Sequence, residues 1–529
     1  MAFIFRYACC QTVNQKENAM LSFIEKHQNK ITGVISVFDR VILKGYLPIS
    51  YPKGAEGYFT RNNRLLMTFK EFTTEQTDRL RSHAMEFAEK AGRPYEYMRE
   101  HIRKDEYVRE IAERDTITDG LICVLAVNEE NHSFSLRYGE GRPHLAKCSP
   151  RCLTLYYYFM DRHFGLMHVR LCTWMPFSMQ IYFNGHDWLA RQLDAKRIAY
   201  NKIENAFINI ADTKKAQKIA DKLQTLLMGK ILHAFAKKVN PLLKTILKGM
   251  EYYWVIDQAE YATDIMFRDH AALNELYLNL RRYSAICINA QDIMSFMGRK
   301  LHGSFRGDII TDSKARIDIT RVKHKVKGNW IKMYNKHGIV LRVETVINRP
   351  REFRTFRLAR RKNKGGGWVP LPKRITSFPR YAQISLRANS GYIEALTDVD
   401  DPAPAFKQLD RVCEPQTLAG KRVRPLNPLQ KKDRELFEAV LNGEHFINGF
   451  KASMIAEKLG IKYPQETMER KRVYAKVNRK IRLLRGHGLI AKIPHSRRYK
   501  ITSIGAGIMN AIILLKSDVL PELIYHVNY

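Results

Sequence analysis

RKRVYAKVNRKIRLLRGHGLIAKIPHSRRYKIT, residues 470–502, decides how the C-terminal part of this chain is read. Val473, Val477, Ile481 and Leu484 recur at helical steps, so a helix over Glu466–Gly486 turns one apolar stripe toward a core. The rest of that helix is cationic. Arg470, Lys471, Arg472, Lys476, Arg479, Lys480, Arg482 and Arg485 are joined by no acid between 470 and 485. Gly486-His487-Gly488 ends the helix. LIAKIP and YKIT, with the turn His495–Arg498 between them, read as a hairpin with Arg497 and Arg498 at its tip.

Two short helices precede this segment. Asp433–Leu441 is amphipathic through Leu436, Phe437 and Val440, and Asn448-Gly449 breaks the chain. Ser453–Gly460 follows, with Ser453 as the expected N-cap and Gly460 as the stop. A last apolar helix, Gly505–Leu515, can close the module. Helix, helix, basic helix and hairpin is the order of a winged helix-turn-helix. Its third helix suits a major groove about 12 Å wide, and its wing reaches the neighbouring backbone. KIRLLRGHGLIAKIPHSRRYKIT resembles the helix-three-to-wing segment of bacterial winged-helix regulators of the MarR type. Residues 429–529 are therefore expected to bind duplex nucleic acid, with Arg470, Arg472, Lys476, Arg479, Lys480, Arg482, Arg497 and Arg498 on the phosphates.

The whole composition points the same way. Lys plus Arg number 89 against 53 Asp plus Glu, a net charge of +36 in 529 residues. A surplus of this size matches a polyanionic partner, because each neutralised phosphate releases counterions. Duplex DNA is the first expectation, and structured RNA is the other. The N-terminus lacks the long apolar run of a signal peptide, and no apolar run of membrane-spanning length occurs. No membrane partner is expected, and the location expected is the bacterial cytoplasm, at the nucleoid. The eight cysteines are scattered. His144, Cys148, Cys152, His163, His168 and Cys172 could hold zinc, but Cys152 and Cys172 fall in strand-like runs and read better as core thiols. There is no Walker loop and no GxGxxG, which argues against nucleotide hydrolysis.

Upstream of residue 400, strand-like and helical stretches alternate. Strands are expected at Gly33–Leu43, Gly120–Val127, Cys152–Met160, Met167–Trp174 and Met179–Asn184. Helices are expected at Glu75–Ala91, Asp105–Arg114, Asp187–Lys196 and Thr213–Leu227. A helix near Ile231–Leu247, a strand within Tyr252–Phe267 and helices near Ala271–Tyr283 and Ala290–Met297 follow. A meander comes next, at Asp308–Thr311, 317–326, Trp330–Tyr334 and Val340–Ile347, and then a helix near Arg380–Leu396. The fold class is thus α+β: a mixed α/β body with an antiparallel meander, plus the winged helix-turn-helix. The domains expected are an α/β domain over 1–230, a central α+β domain over 231–400, a linker over 401–428 and the C-terminal module over 429–529.

NWIKMYNKHGIVLRVETVIN, residues 329–348, is the most specific central string. Strand alternation puts Lys332 and Tyr334 on one face and Arg342 and Glu344 on one face of the returning strand. These four, with Lys336, suit phosphodiester chemistry. A tyrosine hydroxyl attacks phosphorus, cations stabilise the developing charge, and a carboxylate binds a divalent ion. The pattern resembles the Y-D-K…R-x-E segment of rolling-circle replication initiators, with Asn335 in place of Asp. That resemblance implies a tyrosine nickase using Mg2+ or Mn2+. Glu344, Asp264 and Asp308 are the expected metal ligands, from a wider set that includes Asp257, Glu260 and Asp312. Tyr253 and Tyr261 remain alternative nucleophiles. An ordinary cross-strand ion-pair set, on a stacking platform without catalysis, is the rival reading.

Lys323, Lys325 and Lys327 extend the basic face. Arg349 to Arg374 holds ten basic residues and one acid; Arg357, Arg360, Arg361 and Lys362 in this arm are expected to touch phosphate. In FNGHDWLARQL, Asn184 or Asp187 is expected to cap a helix, with His186 a lesser candidate ligand or base. Asp39-Arg40 within an apolar strand is a buried pair or a site. GVISVFDRVILKGYLP, TDGLICVL, QIYFNGHDWLARQL and INGF resemble strings of an uncharacterised bacterial protein group associated with mobile elements. That likeness implies a replication initiator, nickase or transposase; a regulator or ribonucleoprotein component is the alternative.

Overall fold

The computed structural model describes residues 20–98, 103–139, 142–286, 288, 290–298, 309–316, 319–357, 366–397, 411–427, 430–442, 445, 449–494 and 496–514. The fold is mixed α+β, dominated by antiparallel sheet. It gathers into two compact units that interleave along the chain. Unit 1 takes residues 1–34, 263–349 and 384–529; unit 2 takes 35–262 and 350–383.

In chain order the strands of the body are β1 (Ile31–Tyr46), β2 (Tyr95–Tyr97), β3 (Gly120–Glu130), β4 (Ser133–Gly139), β5 (Arg142–Cys148), β6 (Arg151–Asp161), β7 (Gly165–Cys172) and β8 (Met179–Asn184). They are followed by β9 (Tyr200–Ile203), β10 (Ala206–Ile210), β11 (Tyr253–Phe267), β12 (Ile309–Arg316), β13 (Ile319–Val326), β14 (Asn329–Lys336) and β15 (Val340–Ile347). β1 and β11 each contribute residues to both units.

In unit 2 the sheet order is β11-β1-β8-β7-β6-β3-β2. Each neighbouring pair from β1 to β3 is antiparallel, and β2 joins β3 in parallel. Alternation sorts the faces, as period-two side chains require. Met167, Val169 and Leu171 on β7 and Met179, Ile181 and Phe183 on β8 are buried, whereas His168, Arg170, Gln180 and Tyr182 between them are only partly covered. Tyr157 and Phe159 meet Phe87 of α1 (Phe69–Lys90), and Phe159 meets Phe235 of the later helix Met228–Val239. On the opposite face α2 (Lys104–Arg114) packs Val108 and Ile111 with Ile122, Leu125, Tyr156 and Tyr158.

In unit 1, β12 to β15 form an antiparallel meander in sequence order. Lys327 and Gly328 take positive φ at one hairpin end and His337 and Gly338 at the next, as tight turns that follow the sheet twist demand. The buried face of the meander carries Val322, Ile331, Met333, Leu341 and Val343. Helix His270–Ile286 and helix Phe378–Ala395 supply its polar partners: His324 Nε2 lies 3.0 Å from Tyr392 Oη and 3.3 Å from Ser284 Oγ, and Thr345 Oγ1 bonds Asn389 Oδ1 at 2.7 Å.

The C-terminal part of unit 1 has its own core. Helices α3 (Lys431–Val440), α4 (Ala452–Lys458), α5 (Thr467–Gly486) and α6 (Ser503–Leu514) enclose Leu436, Phe437, Val440, Ile455, Ile481, Leu484, Met509 and Ile512. A hairpin of Ile490–Lys492 with Tyr499–Ile501 lies between α5 and α6. Two expectations are corrected here. Helix α4 starts from Lys451 as N-cap with no side-chain cap bond, so Ser453 lies inside the helix. Residues 411–427, expected as linker, fold into the module. Their ribbon Gln416–Leu418/Lys421–Val423 and residues Val412, Val423 and Leu426 join its core, because those apolar side chains cover α5. Arg424 clamps Asp433, whose side chain is 1% exposed, at 2.8 and 2.5 Å.

Candidate nucleic-acid interface and carboxylate sites

The exposed side of α5 is cationic. Arg470, Lys471, Arg472, Lys476 and Arg479 are exposed, while Lys480, Arg482 and Arg485 are half-buried. Val477, Ile481 and Leu484 are buried as the stripe requires and Val473 partly so. Burial, with Lys432 beside it, lowers the Lys480 ammonium from its ordinary value. Arg497 is exposed at the hairpin tip. Arg498 turns inward, and its guanidinium donates to Gly449 O at 3.1 Å, so it holds the hairpin to the preceding segment.

One feature of this module escaped the sequence. Phe450 and Tyr499 exchange both backbone bonds, each at 2.8 Å, which adds a third, one-residue strand to the hairpin. Gly449 makes this possible: it takes φ +61°, and a Cβ there would meet Tyr499 O at 2.3 Å. The INGF string holds the glycine and the phenylalanine, but a single paired residue has no periodicity to detect.

The central hairpin has the register its alternation predicts. Lys332 faces Glu344 and Tyr334 faces Arg342 across the ladder. Tyr334 Oη donates to Glu344 Oε2 at 3.0 Å, and Lys332 Nζ lies 3.3 Å from the same oxygen. Glu344 is 1% exposed, so this carboxylate is held by a phenol and an ammonium away from bulk water. Lys336 stands opposite Val340 at the hairpin end. Lys323 is the cross-strand neighbour of Lys332 and sits 4.0 Å over the Trp330 ring; Lys325 is exposed, and Lys327 forms the turn.

Arg342 and Asp264 form a fully buried bidentate pair, Nε to Oδ1 at 2.6 Å and Nη2 to Oδ2 at 2.7 Å. Both Asp264 oxygens accept from the guanidinium, so the geometry makes this residue an ion-pair partner rather than a metal ligand. Asp308, Arg360, Arg361 and Lys362 lie outside the described residues, as do Ile317 and His495. Arg357 is exposed on a short ribbon of unit 2.

Unit 2 has its own acidic site. Asp39, 6% exposed, accepts at Oδ1 from Asn184 Nδ2 at 2.9 Å and Asn205 Nδ2 at 2.7 Å, with His186 Nδ1 at 3.1 Å. Asn184 also caps the helix Gly185–Ala195 through its Oδ1, as expected, so one side chain both starts the helix and orients Asp39. Glu260, 8% exposed, has a carboxylate oxygen within 4.8 Å of one of Asp39. Two buried carboxylates this close need compensating positive charge, and Arg40 stands with them in the same cleft. They lie in an open cleft of about 1160 Å³, with Arg40, Tyr182 and His168 on its walls. Burial pushes the Tyr182 phenol up to about 12 and the His168 imidazole down to about 4. His168 is therefore neutral at pH 7.

No family model, curated protein or solved structure matches the chain.

Among the six residues considered for zinc, only Cys152 and Cys172 meet, with Sγ atoms 3.6 Å apart, and the six do not gather to ligand distance. Of the alternative tyrosines, Tyr261 is packed edge-on against Phe38 in the core and Tyr253 is exposed.

Proposed function

We propose that this protein binds duplex nucleic acid through a winged helix-turn-helix formed by α3, α4, α5 and the hairpin after it. The observation that carries this reading is the exposed cationic side of α5, directly followed in sequence by a hairpin that ends in Arg497. The Phe450–Tyr499 bridge supports it, since a short strand between α3 and α4 that pairs with the wing completes the topology of such modules. Arg470, Arg472, Lys476 and Arg479 contact phosphate and base edges, and Arg498 positions the wing. The test is fluorescence anisotropy on a labelled duplex with Arg472, Lys476 and Arg479 all changed to Gln. The affinity is expected to fall, and the slope of log K against log salt to become shallower by about 3. An unchanged slope would remove α5 from the interface.

The Tyr334–Glu344 contact favours a second reading, strand cleavage in the manner of a mobile-element replication initiator, nickase or transposase. In that reaction Glu344 takes the phenolic proton, Tyr334 Oη bonds to phosphorus, and the 3′ oxygen leaves with a proton from water. Lys332 stabilises the charge on the phosphoryl oxygens. Asp39 and Glu260 would hold a magnesium or manganese ion in unit 2. The expected product is a protein–DNA adduct that resists denaturation and is lost in Tyr334→Phe. Its absence from the wild-type chain leaves a binding protein. Recovery of one defined RNA from protein purified without nuclease would make RNA the ligand.

A further inference from the structure

The ribbon Arg354–Arg357/Gly367–Pro370 in unit 2 inverts the usual order of a two-stranded sheet. Phe356 faces Trp368 directly across the ladder, and Arg354 faces Pro370. These four residues share one face by alternation, and all four are exposed. The opposite face carries Thr355 and Val369, which are partly covered. A ribbon that packs for stability puts its aromatic pair against a core. Here the aromatic pair is outside, with Trp368 at 57% and Phe356 at 41% relative exposure.

The two rings make an edge-to-face pair, centroids 5.9 Å apart at 73°. The Arg380 guanidinium sits 5.6 Å from the Trp368 ring, and its Nε donates to Arg354 O at 3.1 Å. Exposed Arg354 shares the face of the rings, exposed Arg351 and Arg357 lie close by in sequence, and Gly366 lets the chain pass against Phe356, since a Cβ there would meet Phe356 Cζ at 2.4 Å. Exposed rings among cations match one ligand chemistry best, an unpaired base joined to phosphate. A protein partner would need a larger continuous apolar patch than two rings hemmed by arginines.

We infer that Phe356 and Trp368 form a stacking site for single-stranded nucleic acid, separate from the duplex-binding α5. The inference rests on the proposed nucleic-acid function, but uses residues that the duplex reading does not need. The test uses the full chain, a labelled 20-nucleotide oligo(dT) and a labelled duplex. Trp368→Ala is expected to weaken oligo(dT) binding about tenfold or more, and Trp368→Tyr to restore most of it. Duplex affinity should stay within about twofold of wild type. Trp368 is the exposed one of the five tryptophans, so oligo(dT) should quench part of the intrinsic fluorescence, and Trp368→Phe should abolish that quenching. Oligo(dT) affinity unchanged in Trp368→Ala and Phe356→Ala would overturn the inference. So would dependence of phosphatidylserine-vesicle binding, rather than oligo(dT) binding, on Trp368. Failure of the α5 variants alone would instead count against the duplex reading and leave this one standing.

Discussion

Arg342 and Asp264 illustrate what a buried charge requires. Each is 0% exposed, and each answers the other with two short bonds. Removing one partner strands a full charge in the interior, at a cost of about 3–5 kcal/mol. Asp264→Asn should therefore lower stability by about that much, whereas Tyr334→Phe, which loses one bond to the buried Glu344, should lower it less, by about 1.5–3 kcal/mol. Equal effects of the two would show that the pair is not the structural one. His324 makes a pH prediction. Burial pushes its imidazole down to about 3, and it is neutral between Tyr392 and Ser284. The unfolded chain binds this proton near pH 6.5 and the folded chain does not. Below that pH unfolding takes up a proton, so stability falls as pH drops from about 6.5 toward 3. Thermal melts should show a shallower acid slope for His324→Gln than for wild type, even if the variant melts lower at pH 8. Arg342 and Glu344 were legible as one strand face, because alternation reports faces. The sequence alone offers Asp264 as a metal ligand, because nothing local in it says which charge 78 residues away will be met.

Elements were the most legible level. Met179–Asn184 and Val340–Ile347 form over the spans that their patterns predict, and the basic helix begins one residue later than expected. Periodic burial writes these elements into the sequence. Elements whose reason is not periodic were missed. The Phe450 bridge is one residue long, and residues 411–427 looked like linker because polar and proline residues surround the few apolar ones that dock. Gly449→Ala tests the first case. At φ +61°, with Tyr499 O in the way, it should destabilise the C-terminal module by roughly 1–3 kcal/mol, and hydrogen exchange should speed at Tyr499. Arg424→Ala tests the second, since Asp433 would be left buried without its clamp; the module should melt earlier, while the unit 2 sheet keeps its protection.

For the whole molecule the charge dominates. On the proposed nucleic-acid reading, a chain of net charge +36 should bind its duplex roughly a thousandfold or more weaker at 200 than at 50 mM salt. Affinity that barely changes over that range would mean that few phosphates are neutralised. Among the described residues no helix is long and apolar enough to cross a membrane. The acidic pair Asp39 and Glu260 stands against this background as a local exception, and it escaped notice as a pair because 221 residues separate its members.

The interleaving of the two units sets an order of events during synthesis. Ser22 Oγ bonds Glu394 Oε1, and Lys26 Nζ donates to Thr397 O, contacts across 372 and 371 residues. A ribosome adding roughly 5–20 residues each second needs about 20–75 s to cover that distance. Throughout that interval the helix Leu21–Lys26 waits for Glu394 and Thr397, while most of unit 2 has already emerged. Unit 2 can thus assemble before unit 1, whose residues 384–529 are the last to be made.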